Sequence, residues 1–221
     1  MPDNLPKGNP VPEDVLRRLY IVQKKSLAEI ADSLHISVHK VTYWKWKYKI
    51  ASRSISEAVY LKYNSAGDPF SIKTDLDPEE IKLKFLALGL YWGEGTKSGC
   101  HGIKISNTDP ILLKHFQNFL IKIFGIDPAK IHYYLQIFRD ANSDDAKKYW
   151  ARHLNISEGT ILVSSPLPSL GKGTYRRINL FGVMTMCFFN TKLRNLLFNE
   201  LNALGFTGGY SVRVEAKKMI K

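Results

Sequence analysis

Cysteine is scarce in this chain of 221 residues, which contains only Cys100 and Cys187. Two cysteines without a CxxC spacing exclude a disulfide framework and a zinc site built from four cysteines, and they fit a reducing compartment. Apolar runs such as Phe85–Trp92 are too short to span a bilayer, and the polar, proline-containing N-terminus lacks the pattern of a cleavable signal. The sequence therefore predicts a cytoplasmic protein without a membrane partner.

Acidic residues are also few, since 20 Asp and Glu stand against 32 Lys and Arg and leave a formal net charge of +12. An excess of this size indicates a polyanionic partner, most often nucleic acid and less often an acidic membrane surface. Basicity that only keeps the protein in solution is the alternative interpretation. Hydrophobic residues make up 44% of the chain, a composition typical of a folded globular protein.

Periodicity and turn-forming residues divide the chain into five segments. Four prolines in residues 1–12 indicate a flexible leader, and apolar residues at helical spacing predict an all-α domain over residues 13–52. Serine, glycine and proline mark residues 53–76 as a linker. Helical and β-rich stretches alternate over residues 77–205, before a basic tail at residues 206–221. We therefore expect an α+β protein in which a small helical domain precedes a mixed helix/sheet domain.

The helical domain has the pattern of a helix-turn-helix. Ser26 and Glu29 predict a capping box at the start of its second helix, and Ser37 is the expected N-cap of the third helix, which runs to Lys49. The inward side chains of that helix are expected to be Val38, Val41, Trp44 and Tyr48. Its outward side chains are expected to contact DNA: His39, Lys40, Tyr43, Trp46 and Lys47. No acidic residue occurs in residues 34–56, which favours this role.

These residues resemble the homeodomain-like helix-turn-helix of resolvases and transposases. The matching positions are Ile30, Ala31, Leu34, Ile36, Ser37, Val41 and Trp44. His35 stands at the turn position that is usually Gly, and histidine tolerates a positive φ better than most residues. The resemblance implies binding of double-stranded DNA, whereas a plain helical bundle with solvated lysines is the alternative.

The most informative segment closes a predicted helix that begins at Pro78 and ends at Gly95. Gly89 and Gly93 lie four residues apart on one face of this helix, and each costs about 1 kcal/mol relative to alanine. A stripe without side chains lets a second helix approach closely. Glu94 follows at the C-terminal end, where the helix dipole disfavours an acid unless a cation compensates it. The pattern therefore predicts a metal site at a helix–helix interface, with tight packing alone as the alternative.

This segment resembles the LAGLIDADG motif of homing endonucleases, with matches at Gly89, Gly93, Glu94 and Gly95, while Trp92 stands where the motif has its first Asp. In that family two such helices pack side by side, and the penultimate acid of each binds Mg²⁺. A single copy of the motif implies a homodimer, with an interface formed by Gly89, Tyr91, Trp92 and Gly93. The resemblance further implies site-specific, metal-dependent hydrolysis of double-stranded DNA.

The same resemblance implies roles for individual residues. Glu94, together with Gly95, is expected to hold Mg²⁺ or another divalent metal. Lys97, or Lys104 on the following strand, could supply positive charge beside the scissile phosphate. A looser likeness to the family's sheet-and-helix domain extends over residues 78–204. The tracts Glu94–Lys97 and Asn107–Pro110 also match bacterial proteins that join a helix-turn-helix to this domain.

A second cationic region lies between Glu158 and Glu200, where no acid occurs. The side chains there that are expected to contact DNA phosphates or bases are Lys172, Arg176 and Arg177. They lie in a loop and at the start of a predicted strand, Tyr175–Val183, and a solvated strand edge would have the same pattern. Two functions other than cleavage also remain open: a DNA-binding regulator without hydrolysis on the same scaffold, and an RNA-binding splicing helper.

Overall fold

The computed structural model describes residues 10–98, 101–138, 141–165 and 180–206. The chain forms two compact units that divide between Asp68 and Pro69. Helices and a four-stranded mixed sheet make the protein α+β, which confirms the predicted fold class at this level. Within the described ranges, no helix is both long and apolar enough to cross a membrane.

The first unit is built from short helices. They are α1 (Glu13–Arg17), which continues as a π-helical turn (Arg18–Val22), α2 (Leu27–Ser33), α3 (Val38–Lys47) and α4 (Ile55–Tyr63). Ser26 begins α2 with the predicted capping box: its hydroxyl accepts from the Glu29 N–H at 3.2 Å, and the Glu29 carboxylate accepts from the Ser26 N–H at 2.7 Å. Apolar side chains at helical spacing, among them Leu16, Ile30 and Val41, form its buried core.

The first unit extends beyond residues 13–52 at both ends. Val11, predicted to lie in the flexible leader, is buried, and its carbonyl accepts a hydrogen bond from the Tyr48 hydroxyl at 2.6 Å. Arg53, predicted to lie in the linker, places its guanidinium 4.1 Å from the centre of the Tyr20 ring. The backbone N–H of Arg53 donates to the Tyr20 hydroxyl at 3.0 Å. These long-range contacts order segments that composition alone marks as irregular.

The second unit alternates helices and strands. Its elements are α5 (Pro78–Glu94), β1 (Ile103–Asn107), α6 (Pro110–Phe124), β2 (His132–Gln136), α7 (Ser143–Leu154), β3 (Ile161–Val163), β4 (Val183–Phe188) and α8 (Thr191–Ala203). The strand order in the sheet is β1–β4–β2–β3. Strands β2 and β3 are parallel, and β4 runs antiparallel to both β1 and β2.

Local sequence signals set the helix ends of this unit. Asp77 and Glu80 form a capping box before α5, with Pro78 at the first helical position. Asp109 accepts from the Ile111 N–H at 2.8 Å and so begins α6. Gly125 ends α6 with φ 53°, a left-handed conformation that glycine adopts without steric cost.

The two faces of the sheet differ in chemistry because successive side chains point to opposite sides. One face is apolar and buried in the core, and it carries Ile103, Ile105, Tyr133, Leu135, Met184 and Met186. The opposite face carries side chains that are partly exposed, namely Lys104, Tyr134, Gln136 and Thr185. We call this second surface the open sheet face.

Two predicted boundaries of the second unit are corrected. The strand predicted over residues 175–183 instead begins at Val183 as β4, after a turn at Gly182 with φ 68°, and residues 175–179 lie outside the described residues. Phe70, predicted to belong to the linker, is 9% exposed and packs in the second core. The Ser71 N–H donates to the Phe124 carbonyl at 2.9 Å, which fixes this segment against the end of α6.

Candidate functional site

Helices α2 and α3 are joined by a four-residue turn, residues 34–37. His35 adopts φ 51° in this turn, the positive value expected from its place at a position that is usually Gly. Ser37 then begins α3, since its hydroxyl accepts from the Lys40 N–H at 3.2 Å. The turn therefore sets the direction of α3 through local hydrogen bonds and one strained residue.

The outward face of α3 contains the predicted DNA-contacting side chains, with different degrees of exposure. His39, Trp46 and Lys47 are exposed, and Trp46 is 69% exposed. Lys40 and Tyr43 are half-buried at the edge of this face. Val38, predicted to face inward, is instead 45% exposed, because it lies on the same side of the helix as Thr42 and Trp46.

Lys45 does not belong to the basic surface of α3. Its side chain is only 8% exposed, and Nζ donates to the Ser52 hydroxyl at 2.6 Å while lying 5.4 Å from the centre of the Tyr20 ring. The lysine that remains outward in the last turn of the helix is Lys47, whose Nζ is 4.6 Å from the centre of the Trp44 ring. The exposed positive charge on α3 is therefore smaller than a count of its lysines suggests.

The outward face of α5 carries the two glycines of the predicted interface. Gly89 and Gly93 are exposed, and a Cβ atom added at either position would meet no atom of the described residues within 4 Å. Phe85 and Leu86 lie on the same face one turn earlier and are 52% and 45% exposed. Packing among the described residues thus gives no reason for glycine at either position, although each glycine costs the helix about 1 kcal/mol.

Tyr91 is a correction to the predicted dimer interface. Its side chain is fully buried, its ring stacks on Phe116 with centroids 5.7 Å apart, and its hydroxyl donates to the Thr96 carbonyl at 3.1 Å. It therefore belongs to the core of its own unit and cannot face a second copy. Trp92 is half-buried, and its ring centroid lies 5.3 Å from that of Phe206.

Helix α5 ends with the candidate metal-binding residues. Glu94 is the last helical residue and is exposed. Gly95 is buried, its N–H donates to the Tyr91 carbonyl at 2.9 Å, and it forms a β-bridge with Ile105. A Cβ atom at Gly95 would collide with the Tyr91 ring, so only glycine allows the chain to turn here. The turn leads directly from the Glu94 carboxylate to the edge of the sheet.

The side chain of Lys97 lies beside Glu94, whereas that of Lys104 lies on the open sheet face. Lys97 Nζ is 3.4 Å from the Gly93 carbonyl oxygen. Partial burial lowers the pKa of Lys97 below its usual range, and the Glu94 carboxylate opposes this shift. Arg194 Nη2 donates to the Lys97 carbonyl at 2.6 Å, which fastens this segment to α8. Lys104 instead projects from β1 on the open sheet face, with Thr96 as a neighbour in the same concavity.

The open sheet face forms a shallow concavity of about 560 Å³. The residues that line it are Thr96, His101, Lys104, Tyr134, Gln136, Ser164, Thr185, Cys187 and Phe189. Among the described residues, this lining includes hydrogen-bonding groups and a cation but no carboxylate, a composition suited to an anionic partner. Sequence reasoning identified only Lys104 among them, although the alternation along β2 was a signal that Tyr134 and Gln136 share one face.

Neither clustered ligands nor likeness to known proteins identifies the site. Among the described residues, no three His, Cys, Asp or Glu side chains come together as potential metal ligands. Lys172, Arg176 and Arg177 lie outside the described residues. Comparison with protein-family models, curated proteins and solved structures finds no match. The residues on α3, at the end of α5 and on the open sheet face are therefore the basis for assigning a function.

Proposed function

We propose that this chain binds double-stranded DNA, acts as a homodimer and cleaves specific sites with a divalent metal. The observation that carries the proposal is the outward face of α5, where exposed Gly89 and Gly93 lead to an exposed Glu94. Two helix-weakening glycines that no contact among the described residues requires are explained by a second helix that packs against them.

DNA binding is supported by the surface of α3. Lys47 and Lys40 can contact phosphates, while His39 lies near the N-terminal end of the helix, the part that contacts base edges in helix-turn-helix proteins. The nearest acids in sequence are Asp32 and Glu57, so repulsion between α3 and phosphates is small. The formal net charge of +12 favours association of the whole chain with a polyanion.

Homodimerisation is proposed because each chain supplies only one carboxylate, Glu94, to the metal site. A two-fold dimer places the same patch of both copies at the interface, so α5 would pack against α5 and each copy would contribute one Glu94. Phe85 and Leu86 would be covered in the same contact, which removes exposed apolar surface from water. A dimer with this symmetry favours a pseudo-palindromic DNA site.

The donor set fits a hard divalent cation. Mg²⁺ prefers oxygen ligands and is commonly held by one or two carboxylates together with substrate phosphates, as two copies of Glu94 would provide. When bound, such an ion polarises the scissile phosphate and activates water. Lys97 would add positive charge near the negative charge that develops on the phosphate. Lys104, on the open sheet face, would contribute to binding of the nucleic acid backbone.

A regulator that binds DNA without cleaving it is the second candidate. Trp92 favours it, because this residue stands where the resembled motif has its first acid and its ring packs on Phe206. Each copy then offers only Glu94 at the end of α5, where the resembled motif has two acids. The regulator would use the same α3 surface and the same α5 interface, so the two candidates differ only in hydrolysis.

Incubation of purified protein with supercoiled plasmid carrying a random-sequence insert, in Mg²⁺, Mn²⁺ or EDTA, tests the proposal. We expect metal-dependent nicking or linearisation that disappears in Glu94→Gln while the gel shift with DNA persists. Glu79→Gln, an exposed acid at the other end of α5, is the matched control and should cleave like the wild type.

Three other results, from that assay or from binding to folded RNA, contradict cleavage of DNA by Glu94. Intact plasmid with a retained gel shift supports the regulator. Preferential binding of folded RNA over duplex DNA supports an RNA-binding protein instead. Cleavage that persists in Glu94→Gln would place the catalytic carboxylate elsewhere.

A further inference from the structure

One side of the outward face of α3 is largely apolar. Val38, Thr42 and Trp46 follow one another at intervals of four residues, so they share one side of the helix. Val38 is 45% exposed and Trp46 is 69% exposed, and Thr42 is exposed between them. On the surface proposed to face DNA, this stripe offers mainly aliphatic and aromatic carbon, where the neighbouring positions offer hydrogen-bonding groups.

The Thr42 hydroxyl is already engaged. Its Oγ1 donates to the Val38 carbonyl at 2.8 Å, an intrahelical bond that threonine commonly makes. The methyl group is thus the part of the side chain that is free to contact a partner. Val38 and Thr42 together present aliphatic carbon, with His39 beside them as a hydrogen-bonding side chain.

Charge near the stripe indicates that its partner is anionic. Lys40 and Lys47 lie on α3 to one side of it, and Lys49 follows the helix. Residues 34–56 contain no acid, so this surface attracts a polyanion such as a nucleic acid backbone. Duplex DNA offers negative charge next to base edges, because its phosphate backbone borders the major groove.

The only apolar feature that bases offer in the major groove is the C5-methyl group of thymine. Guanine, adenine and cytosine present acceptors and donors there, which Val38 and the Thr42 methyl cannot satisfy. We propose that the Val38–Thr42–Trp46 stripe reads thymine methyl groups in the major groove, so that the site contains A·T pairs at the bases that these side chains contact. The inference rests on the proposed binding of duplex DNA by α3.

Replacement of thymine by deoxyuridine tests this inference, because it removes the methyl group and keeps the pairing and the hydrogen-bonding edge. Full-length protein in EDTA, which prevents metal-dependent cleavage, would select sites from a library of short random duplexes. Each selected site would then be synthesised with thymine and with deoxyuridine. We expect deoxyuridine at a contacted step to weaken binding about fourfold per methyl group, the value of one buried methylene.

Two substitutions at one position separate the methyl contact from the rest of the surface. Thr42→Ser removes the methyl and keeps a hydroxyl for the Val38 carbonyl, so it should abolish the preference for thymine over deoxyuridine at the base that Thr42 contacts. Thr42→Val keeps a methyl and loses the hydroxyl, so it should retain the preference. Neither substitution changes charge, and both should leave the salt dependence of binding unchanged.

The possible failures are distinguishable. Selected sites that bind equally well with thymine and with deoxyuridine would overturn the methyl contact and leave DNA binding intact. Selected sites that contain no thymine would also overturn the methyl contact and leave DNA binding intact. Failure of the protein to retain any duplex from the library would overturn the proposed function, and the methyl contact with it.

Discussion

The Gln117 side-chain amide donates from Nε2 to the Tyr133 hydroxyl at 2.8 Å, inside the core of the second unit. Both side chains are almost fully buried. Lys114 Nζ continues this network, since it donates to Gln117 Oε1 at 2.9 Å and to the Leu154 carbonyl at 2.7 Å. One chain of hydrogen bonds therefore joins α6, β2 and the end of α7, and it supports the strand that carries Tyr134 and Gln136 on the open sheet face.

Ionisation of Tyr133 should destabilise the fold at high pH. Burial raises the pKa of Tyr133 to about 12, and the hydrogen bond from Gln117 opposes that shift. The folded-state pKa lies above the reference value of 10.0, so the stabilising contribution is present below pH 10 and is lost as the pH rises through about 12. Denaturant unfolding across this range should show a steeper loss of stability for the wild type than for Tyr133→Phe.

The same variant has an expected effect at neutral pH. Tyr133→Phe leaves the Gln117 amide without its acceptor and should lower the free energy of unfolding by about 1–3 kcal/mol. Tyr63→Phe, at a side chain that is 80% exposed, controls for the loss of one phenol. If the free energy of unfolding changed equally with pH in the wild type and in Tyr133→Phe above pH 10, the raised pKa of Tyr133 would be contradicted.

Loss of Lys40 and Lys47 should weaken DNA binding and flatten its salt dependence. Each phosphate contact contributes about 0.9 to the slope of log affinity against log salt, so Lys40→Ala/Lys47→Ala should reduce the slope by up to about 2. Lys130→Ala/Lys148→Ala removes the same charge from exposed positions of the second unit and is the control. An equal decrease of slope in both variants would show that only net charge matters.

Lys45 should behave differently from these lysines. Because its Nζ is held by Ser52 in the interior of the first unit, Lys45→Ala should lower stability and leave the salt slope unchanged once the folded fraction is accounted for. Thermal unfolding measured beside the binding titration would separate the two effects. A reduced slope with unchanged stability would place Lys45 at the DNA.

Gly89→Leu should prevent the chain from forming dimers. A leucine in a closely packed helix pair costs about 1–3 kcal/mol of overpacking, so the dimer dissociation constant should rise roughly tenfold or more. The described part of the chain leaves room for the side chain, since none of its atoms lies within 4 Å of the added Cβ. Lys148→Leu places the same side chain on an exposed part of α7 and should sediment like the wild type. An unchanged sedimentation mass in Gly89→Leu would contradict the α5 interface.

Local signals made much of the fold predictable. Helix α5 begins at Pro78 and ends before Gly95 as predicted, because capping side chains and glycine act within one turn of the chain. Strand β4 could not be placed in the same way. Its pairing with β1 joins residues about 80 positions apart, such as Ile105 and Met186, and no local pattern encodes that contact.

The candidate site was predictable in part. The outward position of the α5 glycines and of Trp46 follows from helical spacing. Tyr91 was misplaced, although its interval of four residues from Ala87 puts both on the buried side of α5. The burial of Lys45 depends on Tyr20 and Ser52, which meet it only in the folded unit, so the sequence of α3 alone could not reveal it.

A mixing experiment tests the central claim that two Glu94 carboxylates act together across a dimer. Wild-type and Glu94→Gln chains would be combined at increasing mole fractions, allowed to exchange partners and assayed for metal-dependent linearisation of a selected DNA site. If both carboxylates are required, the rate follows the square of the wild-type fraction and falls to about one quarter in an equal mixture, because only wild-type homodimers are active. A linear decrease, to about one half, would mean that each chain acts alone and would contradict the shared site.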